Sequence, residues 1–251
     1  DDVPVDQRVE VRRLSDGDSG VIAVDGEEIE FRLLGYNAPE RFEGDGGPLS
    51  CNGAAAEVAL EELLDSADDS LRFVASETDR FGRTLGDFVV DGRSAVEELV
   101  AGGWGLATGD TARRDLMEDA ANAGRGLWGD GCGRPVADGL VVTRVEADPP
   151  GRDEEDLNAE IVELVNDGPD AIDLAGWDIR DDSSSHRFDL AGTLEPGDRL
   201  VIRTGSGSSG GGELFLGSPS PVWSNRGDTT LIIDPEGVVA AWAFVIDGSA
   251  P

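Results

Sequence analysis

The chain is predicted to fold as two domains of different class, an α+β half followed by an all-β half. Three observations predict this. Through about residue 125, alternating apolar and polar runs are interspersed with three windows of helical period. The run Gly131-Cys132-Gly133-Arg134-Pro135 then breaks regular structure and reads as a short linker. Beyond it come only short strand-like runs between turn residues, with no convincing helix. At 251 residues and 39% hydrophobic, the chain has room for two ordinary domains or one large one. The expected division is 1–136 and 137–251.

The elements follow in order. Residues 8–14, 20–25 and 28–34 alternate as half-buried strands do, with turns at Asp16-Gly17 and Asp25-Gly26. Residues 41–52, glycine-rich and carrying Pro48, read as a loop over a cleft. Gly53 to Leu64 has helical period, with Ala56, Leu60, Leu63 and Leu64 on one face. Strands are expected near 71–77 and 84–90, flanking a turn at Asp79–Arg83. Helices are expected over Ala95–Ala101 and over about Thr111–Ala123, the latter with Leu116 and Ala120 inward. In the second half, strand-like runs fall at 139–146, 159–165, 199–203, 229–233 and 238–245.

The formal charge is -33, from 53 acidic residues against 20 basic ones, and every basic residue is arginine. The acids are spread through both halves and interrupted by apolar strands, which excludes a disordered acidic tail. The composition predicts a folded protein with an acidic surface, as in proteins that work in near-saturated salt. At molar ionic strength the screening length falls to about 3 Å, which mutes self-repulsion. A halophilic source is expected. No apolar run is long enough to span a membrane. The chain opens Asp1-Asp2-Val3-Pro4 without methionine, which reads as a mature protein whose targeting segment has been removed, extracellular or at the cell surface.

Chemistry concentrates in Phe31-Arg32-Leu33-Leu34-Gly35-Tyr36-Asn37-Ala38-Pro39-Glu40, with Asp16-Gly17-Asp18 before it and Asp79-Arg80-Phe81-Gly82-Arg83 after it. A phosphoryl transition state gathers negative charge on its equatorial oxygens, and arginines offer planar, permanently charged donors to them. Oxygen ligands from Asp18 and Asn37 suit a hard cation such as Ca2+ rather than zinc. Glu40 would orient or deprotonate a water beside that cation. Taken alone, an Arg–Glu pair is usually a surface ion pair and Asp-Gly a common turn. The set together points to a nuclease acting on DNA, RNA or both. His186 is the only histidine, so no mechanism built on two histidines is available.

These segments resemble the staphylococcal-nuclease (thermonuclease) family over roughly residues 8–130. The matching motifs are Asp16-Gly17-Asp18-Ser19, then Arg32 to Glu40, then Asp79 to Arg83, in the family's order. The resemblance implies a small five-stranded OB-fold barrel with three helices. It implies Arg32 and Arg83 as catalytic phosphate-binding arginines and Glu40 as general base. Asp18, Asn37 and the backbone carbonyl of Ala38 would hold Ca2+, with Asp16 close behind. It further implies cleavage on the 5′-oxygen side of the phosphate.

Two positions depart from the family's pattern. Asn37 stands where the family usually has Asp, which removes one ligand charge. After Gly105-Leu106-Ala107 the family's best-known members place tyrosines near the nucleotide, whereas this chain has its only tyrosine at Tyr36. Nucleotide contacts are therefore expected from Arg80, Phe81 and Leu85. Similar secreted nucleases carry cysteines in the regions of Cys51 and Cys132. A disulfide between them would stabilise the domain by about 3–5 kcal/mol; two separate buried thiols are the other reading.

The second half resembles the lamin-tail domain, an immunoglobulin-like sandwich, over about 139–247. The resemblance rests on Ala159–Asn166, Asp173–Asp181 with Trp177, Leu194-Glu195-Pro196-Gly197-Asp198 and Trp223-Ser224-Asn225-Arg226-Gly227-Asp228. Trp177 is expected as a core anchor. The resemblance implies tethering or partner binding, and such domains occur appended to secreted nucleases. The whole therefore reads as a secreted Ca2+-dependent nuclease with a lamin-tail domain. The competing reading is a catalytically weak or inactive module of the cell envelope that binds nucleic acid or protein.

Overall fold

The computed structural model describes residues 6–41, 51–67, 70–108, 111–129, 139–183, 186–225, 227–245 and 249–250. The chain divides into two compact units, Asp1–Arg134 and Pro135–Pro251. The expected linker, residues 131–135, and most of the expected loop at 41–52 lie outside the described residues.

In the first unit, β1 (Gln7–Arg8) and β2 (Glu10–Leu14) form one extended stretch interrupted at Val9, where alternation alone predicts a single strand. There follow β3 (Ser19–Val24), β4 (Glu27–Leu33), β5 (Tyr36–Asn37), α1 (Cys51–Asp65), β6 (Arg72–Thr78), β7 (Thr84–Val90), β8 (Arg93–Ser94), α2 (Ala95–Ala101), β9 (Leu106–Ala107) and α3 (Thr111–Asn122). The main sheet runs β1-β6-β7-β4-β3-β2, with β8 added to β7 and β5 paired separately with β9. Its first and last strands are thus the two parts of the interrupted stretch. Asp25-Gly26 joins β3 to β4 with both residues at positive φ, the turn geometry that matches the twist of a tight hairpin.

The site is positioned by β4 and β7, which pair in parallel with Arg32 beside Leu85. On β7, Thr84, Gly86, Phe88 and Val90 are buried while Leu85 and Asp87 stand on the half-buried outer face. Phe31 of β4 packs into the core between Phe73 and Phe88, at ring-centroid distances of 5.9 and 5.0 Å. Burial of each such ring stabilises the unit by about 1.5–3 kcal/mol. Alternation therefore turns Arg32 outward, onto the face that carries Leu85.

Two expectations are corrected here. Helix α1 begins at Cys51, ahead of Gly53, and Cys51 is disulfide-bonded. Its expected partner, Cys132, lies outside the described residues. On α3 the inward residues are Met117, Ala120 and Ala121, while Leu116 is only half-buried. The rotation brings the Met117 sulfur 3.3 Å from the backbone N–H of Ala107, so contact with β9 sets the helix face.

The second unit comprises β10 (Leu140–Glu146), β11 (Ile161–Asn166), β12 (Ile172–Asp173), β13 (Asp178–Arg180), β14 (Arg187–Asp189), β15 (Thr193–Leu194), β16 (Arg199–Arg203), β17 (Glu213–Phe215), β18 (Asp228–Ile233), β19 (Val239–Val245) and β20 (Ser249–Ala250). One sheet runs β17-β16-β11-β10-β20 and another β14-β13-β18-β19, with a small β12-β15 pair. Val162, Leu164 and Ile202 from the first meet Ile179, Ile232 and Val245 from the second in a common core that also holds Trp177 and Trp223. The run expected as a strand from residue 159 starts at Ile161. Glu160 instead turns inward, and its buried carboxylate accepts the N–H groups of Val222 and Trp223, both at 3.0 Å.

Candidate functional site

The turn between β2 and β3 presents its two aspartates differently. Asp16 Oδ1 accepts the Asp18 N–H at 3.0 Å and the Ser19 hydroxyl at 2.9 Å, which makes Asp16 the brace of the turn. Asp18 points into the protein, only 2% exposed. Its Oδ1 receives Arg32 Nη1 at 2.7 Å, and its Oδ2 receives the Ala38 N–H at 2.9 Å. The second arm of Arg32, Nη2, donates to Asn37 Oδ1 at 2.7 Å. One guanidinium thus spans the acid and the amide expected as metal ligands. Burial raises Asp18 from 3.8 to about 7, with Asp16 adding to the rise and Arg32 and the Ala38 N–H opposing it.

Segment 35–38 reaches this cluster because β5 pairs with β9, Tyr36 beside Ala107 and Asn37 beside Leu106. Tyr36 is buried, and its hydroxyl has no hydrogen-bond partner among the described residues. Burial, then the charges of Asp18 and Asp16, push its ionisation well above the ordinary tyrosine value. Glu40 follows at the start of a segment held by α1: a side chain on Gly53 would run into the Glu40 carbonyl, so the helix can approach only because residue 53 is glycine. The Glu40 side chain is exposed and is not part of the Asp18–Arg32–Asn37 network.

Arg83 arrives from the β6–β7 turn. Asp79 Oδ1 accepts the N–H groups of Phe81 and Arg83, both at 2.9 Å, and its Oδ2 accepts Arg83 Nε at 2.8 Å. Against the cost of desolvation, these Arg83 and Phe81 bonds hold the Asp79 carboxyl below the ordinary value. Arg83 stands two residues before Leu85, the register partner of Arg32, so alternation aims both arginines toward one face. Phe81 is 69% exposed, with the guanidinium carbons of Arg80 and Arg83 at 4.7 and 5.7 Å from its ring centre. Motifs far apart in sequence therefore meet along the β4–β7 pair. A cleft of about 570 Å³ lined by Arg8, Glu10, Arg12, Asp25 and Asp65 lies elsewhere and contains none of these side chains.

Two further groups come together only in the fold. Arg113 of α3 donates from Nη1 to the Leu34 carbonyl at 3.1 Å, with Nη2 3.9 Å from Asp87 Oδ2. Arg113 stands beside Arg114 in α3, and no spacing in the sequence distinguishes the two. In the second unit, ligand-capable oxygens of Asp181, Asp182 and Asp228 lie within 4.8 Å of one another. Asp228 is raised to about 7 by burial and by Asp182 and Asp181, against N–H bonds from Ser224 and Thr229. His186 Nδ1 is 2.6 Å from Asp181 Oδ2, which attaches the single histidine to this group. The Asp181-Asp182 doublet was its visible trace.

Residues 134–246 match the Lamin Tail Domain family. No curated protein matches the chain.

Proposed function

We propose that the first unit, joined here to a lamin-tail domain, is a Ca2+-dependent nuclease built on an OB-like barrel. The contiguity of the sheet's first and last strands through Val9 supports the barrel. The observation that carries the function is the convergence of Asp18, Arg32 and Asn37, with Arg83 one strand away on the same face.

The donor types fit a hard cation: the Asp18 carboxylate and the Asn37 amide oxygen are drawn together by Arg32, with no sulfur or imidazole beside them among the described residues. Asp18, Asn37 and the Ala38 carbonyl would hold Ca2+, with Asp16 behind them. Bound there, the ion would supply Lewis-acid polarisation of a phosphate oxygen. Arg32 and Arg83 would donate in fork geometry to the oxygens on which charge develops. Asp16 and Asp79 keep their turns, and so these side chains, in place. Glu40, outside the paired network and open to solvent, would orient or deprotonate the attacking water. Phe81 would stack a base, with Arg80 and Leu85 beside it.

The -33 charge repels a polyanion at low salt, and molar salt removes that repulsion together with the counterion-release gain. Short-range contacts at the arginines would then carry affinity, in keeping with a secreted protein of a high-salt habitat. A lamin-tail domain is consistent with tethering or partner binding.

A second reading, a binding module without turnover, is favoured by one observation: Arg32 and Arg83 each already hold an aspartate. Hydrolysis of single-stranded DNA, duplex DNA and RNA in molar salt, with Ca2+ or a chelator, decides between them. Ca2+-dependent cleavage abolished in Arg32→Ala is expected. A folded wild-type protein inert on all three substrates would move the assignment to the binding module.

A further inference from the structure

Arg113 lies on the outer face of the β4–β7 pair, the face to which Arg32 and Arg83 turn. Its Nη1 donates to the carbonyl of Leu34, whose own N–H is bonded to Gly86 O of β7 at 2.8 Å. Its Nη1 lies over Gly35, which sits at φ 76°, the left-handed backbone that favours glycine. Its nearest carboxylate, Asp87, stands two residues beyond Leu85, the partner of Arg32. The face therefore carries arginines at three successive stations along β7: Arg83 itself, Arg32 level with Leu85, and Arg113 over Asp87. Adjacent stations are one two-residue step apart, about 6.6–6.8 Å. Arg113 thus stands one step beyond Arg32, on the side away from Arg83, where the phosphate next to the one at Arg32 and Arg83 would lie.

The bonding of Arg113 shows spare capacity. Asp87 is committed to the start of α2, accepting the Ser94 hydroxyl at 2.5 Å and the Val96 N–H at 3.1 Å. Its approach to Arg113, at 3.9 Å, is too long for a hydrogen bond. The Nε of Arg113 is buried without a partner among the described residues, so the donors left for a ligand are those on Nη1 and Nη2 of a side chain that is 20% exposed. A guanidinium has five N–H donors, and the bond to Leu34 takes one. A clamp for Leu34 alone would not need a charge.

Resting on the nuclease reading above, we propose that Arg113 binds the phosphate next to the scissile one on a single-stranded substrate. It contributes to binding and takes no part in bond cleavage. It also supplies part of the nucleotide contact that the absence of tyrosines after Ala107 leaves open.

The test compares wild type, Arg113→Gln and Arg113→Met on a single-stranded tetranucleotide and on a dinucleoside monophosphate, which has only the scissile phosphate. Circular dichroism checks folding at each salt concentration. Two variants are used so that a folding defect in one leaves the other as the measurement. Loss of one charge-assisted contact should raise KM for the tetranucleotide about tenfold with kcat unchanged. The dinucleotide should be unaffected. The log–log salt dependence of kcat/KM on the tetranucleotide should become shallower by about 0.7, the single-strand value for one phosphate contact. Equal losses on both substrates, or an unchanged salt slope, would overturn this inference and leave the nuclease reading intact. A folded but inactive wild type would overturn that reading and this inference with it.

Discussion

Arg32 and Asp18 face each other at 2.7 Å, joining the outer face of β4 to a carboxylate that is almost wholly buried. The pair is asymmetric. Asp18 is sealed in the fold and held a second time by the Ala38 N–H, whereas Arg32 keeps solvent access and extends its other arm to Asn37. A phosphate can therefore compete for Arg32 while Asp18 keeps the Ala38 N–H.

Arg32→Ala should lower turnover at least about 10²-fold, the scale for removing one transition-state donor. It should also destabilise the first unit by about 1–3 kcal/mol, because a buried acceptor loses its partner. Arg32→Lys should not restore activity, since a point charge cannot span Asp18 and Asn37 as the fork does. Hydrolysis assays and thermal melts read both effects.

Stability without Ca2+ should fall as pH rises from about 4 to about 7. Asp18 goes from 3.8 to about 7 on folding, so the folded protein binds the extra proton. Its contribution is fully present below the unfolded value and is lost as pH passes through about 7; for Asp18 the span is about 4 kcal/mol. Asp228, raised to about 7 among Asp181 and Asp182, with His186 also on Asp181, adds the same trend in the second unit. Melting curves under chelator should show the decline, and Asp18→Asn and Asp228→Asn should each remove part of it. A stability that rises over this interval would refute the assignment. Ca2+ affinity should weaken below about pH 7, because the cation needs ionised Asp18.

Phe81→Ala should weaken binding of single-stranded substrate by about 1–3 kcal/mol, the worth of one base–aromatic stack. Phe81 is 69% exposed, so the melting temperature should not move. Unchanged affinity would show that bases stack elsewhere.

Glu160→Gln should destabilise the lamin-tail unit by about 1–3 kcal/mol, since two buried N–H groups would face one remaining acceptor and one donor. Hydrolysis by the first unit should be unaffected. A loss of activity in this variant would indicate coupling between the units.

Much of the site could be read from the chain because its parts are local. Asp16 and Asp18 share one turn, Arg32 and Asn37 are five residues apart, and Asp79 and Arg83 close a single tight turn. Periodicity alone starts α1 two residues late and turns Leu116 rather than Met117 inward on α3, where contact with β9 sets the face. Arg113 was illegible for the same reason: its partners, Leu34 and Asp87, lie 79 and 26 residues away in the sequence and meet it only through the fold.

The sequence by itself determined the two-part division, nearly every long strand and helix, and the acids and arginines available for chemistry. Period, turn chemistry and charge are local properties that each segment carries with it. Only the tertiary structure decided which charges are paired, that Asp18 is buried enough to hold its proton to about pH 7, and that three arginines share one face. Those outcomes depend on desolvation and on strand register, and both arise when segments far apart in the chain pack together.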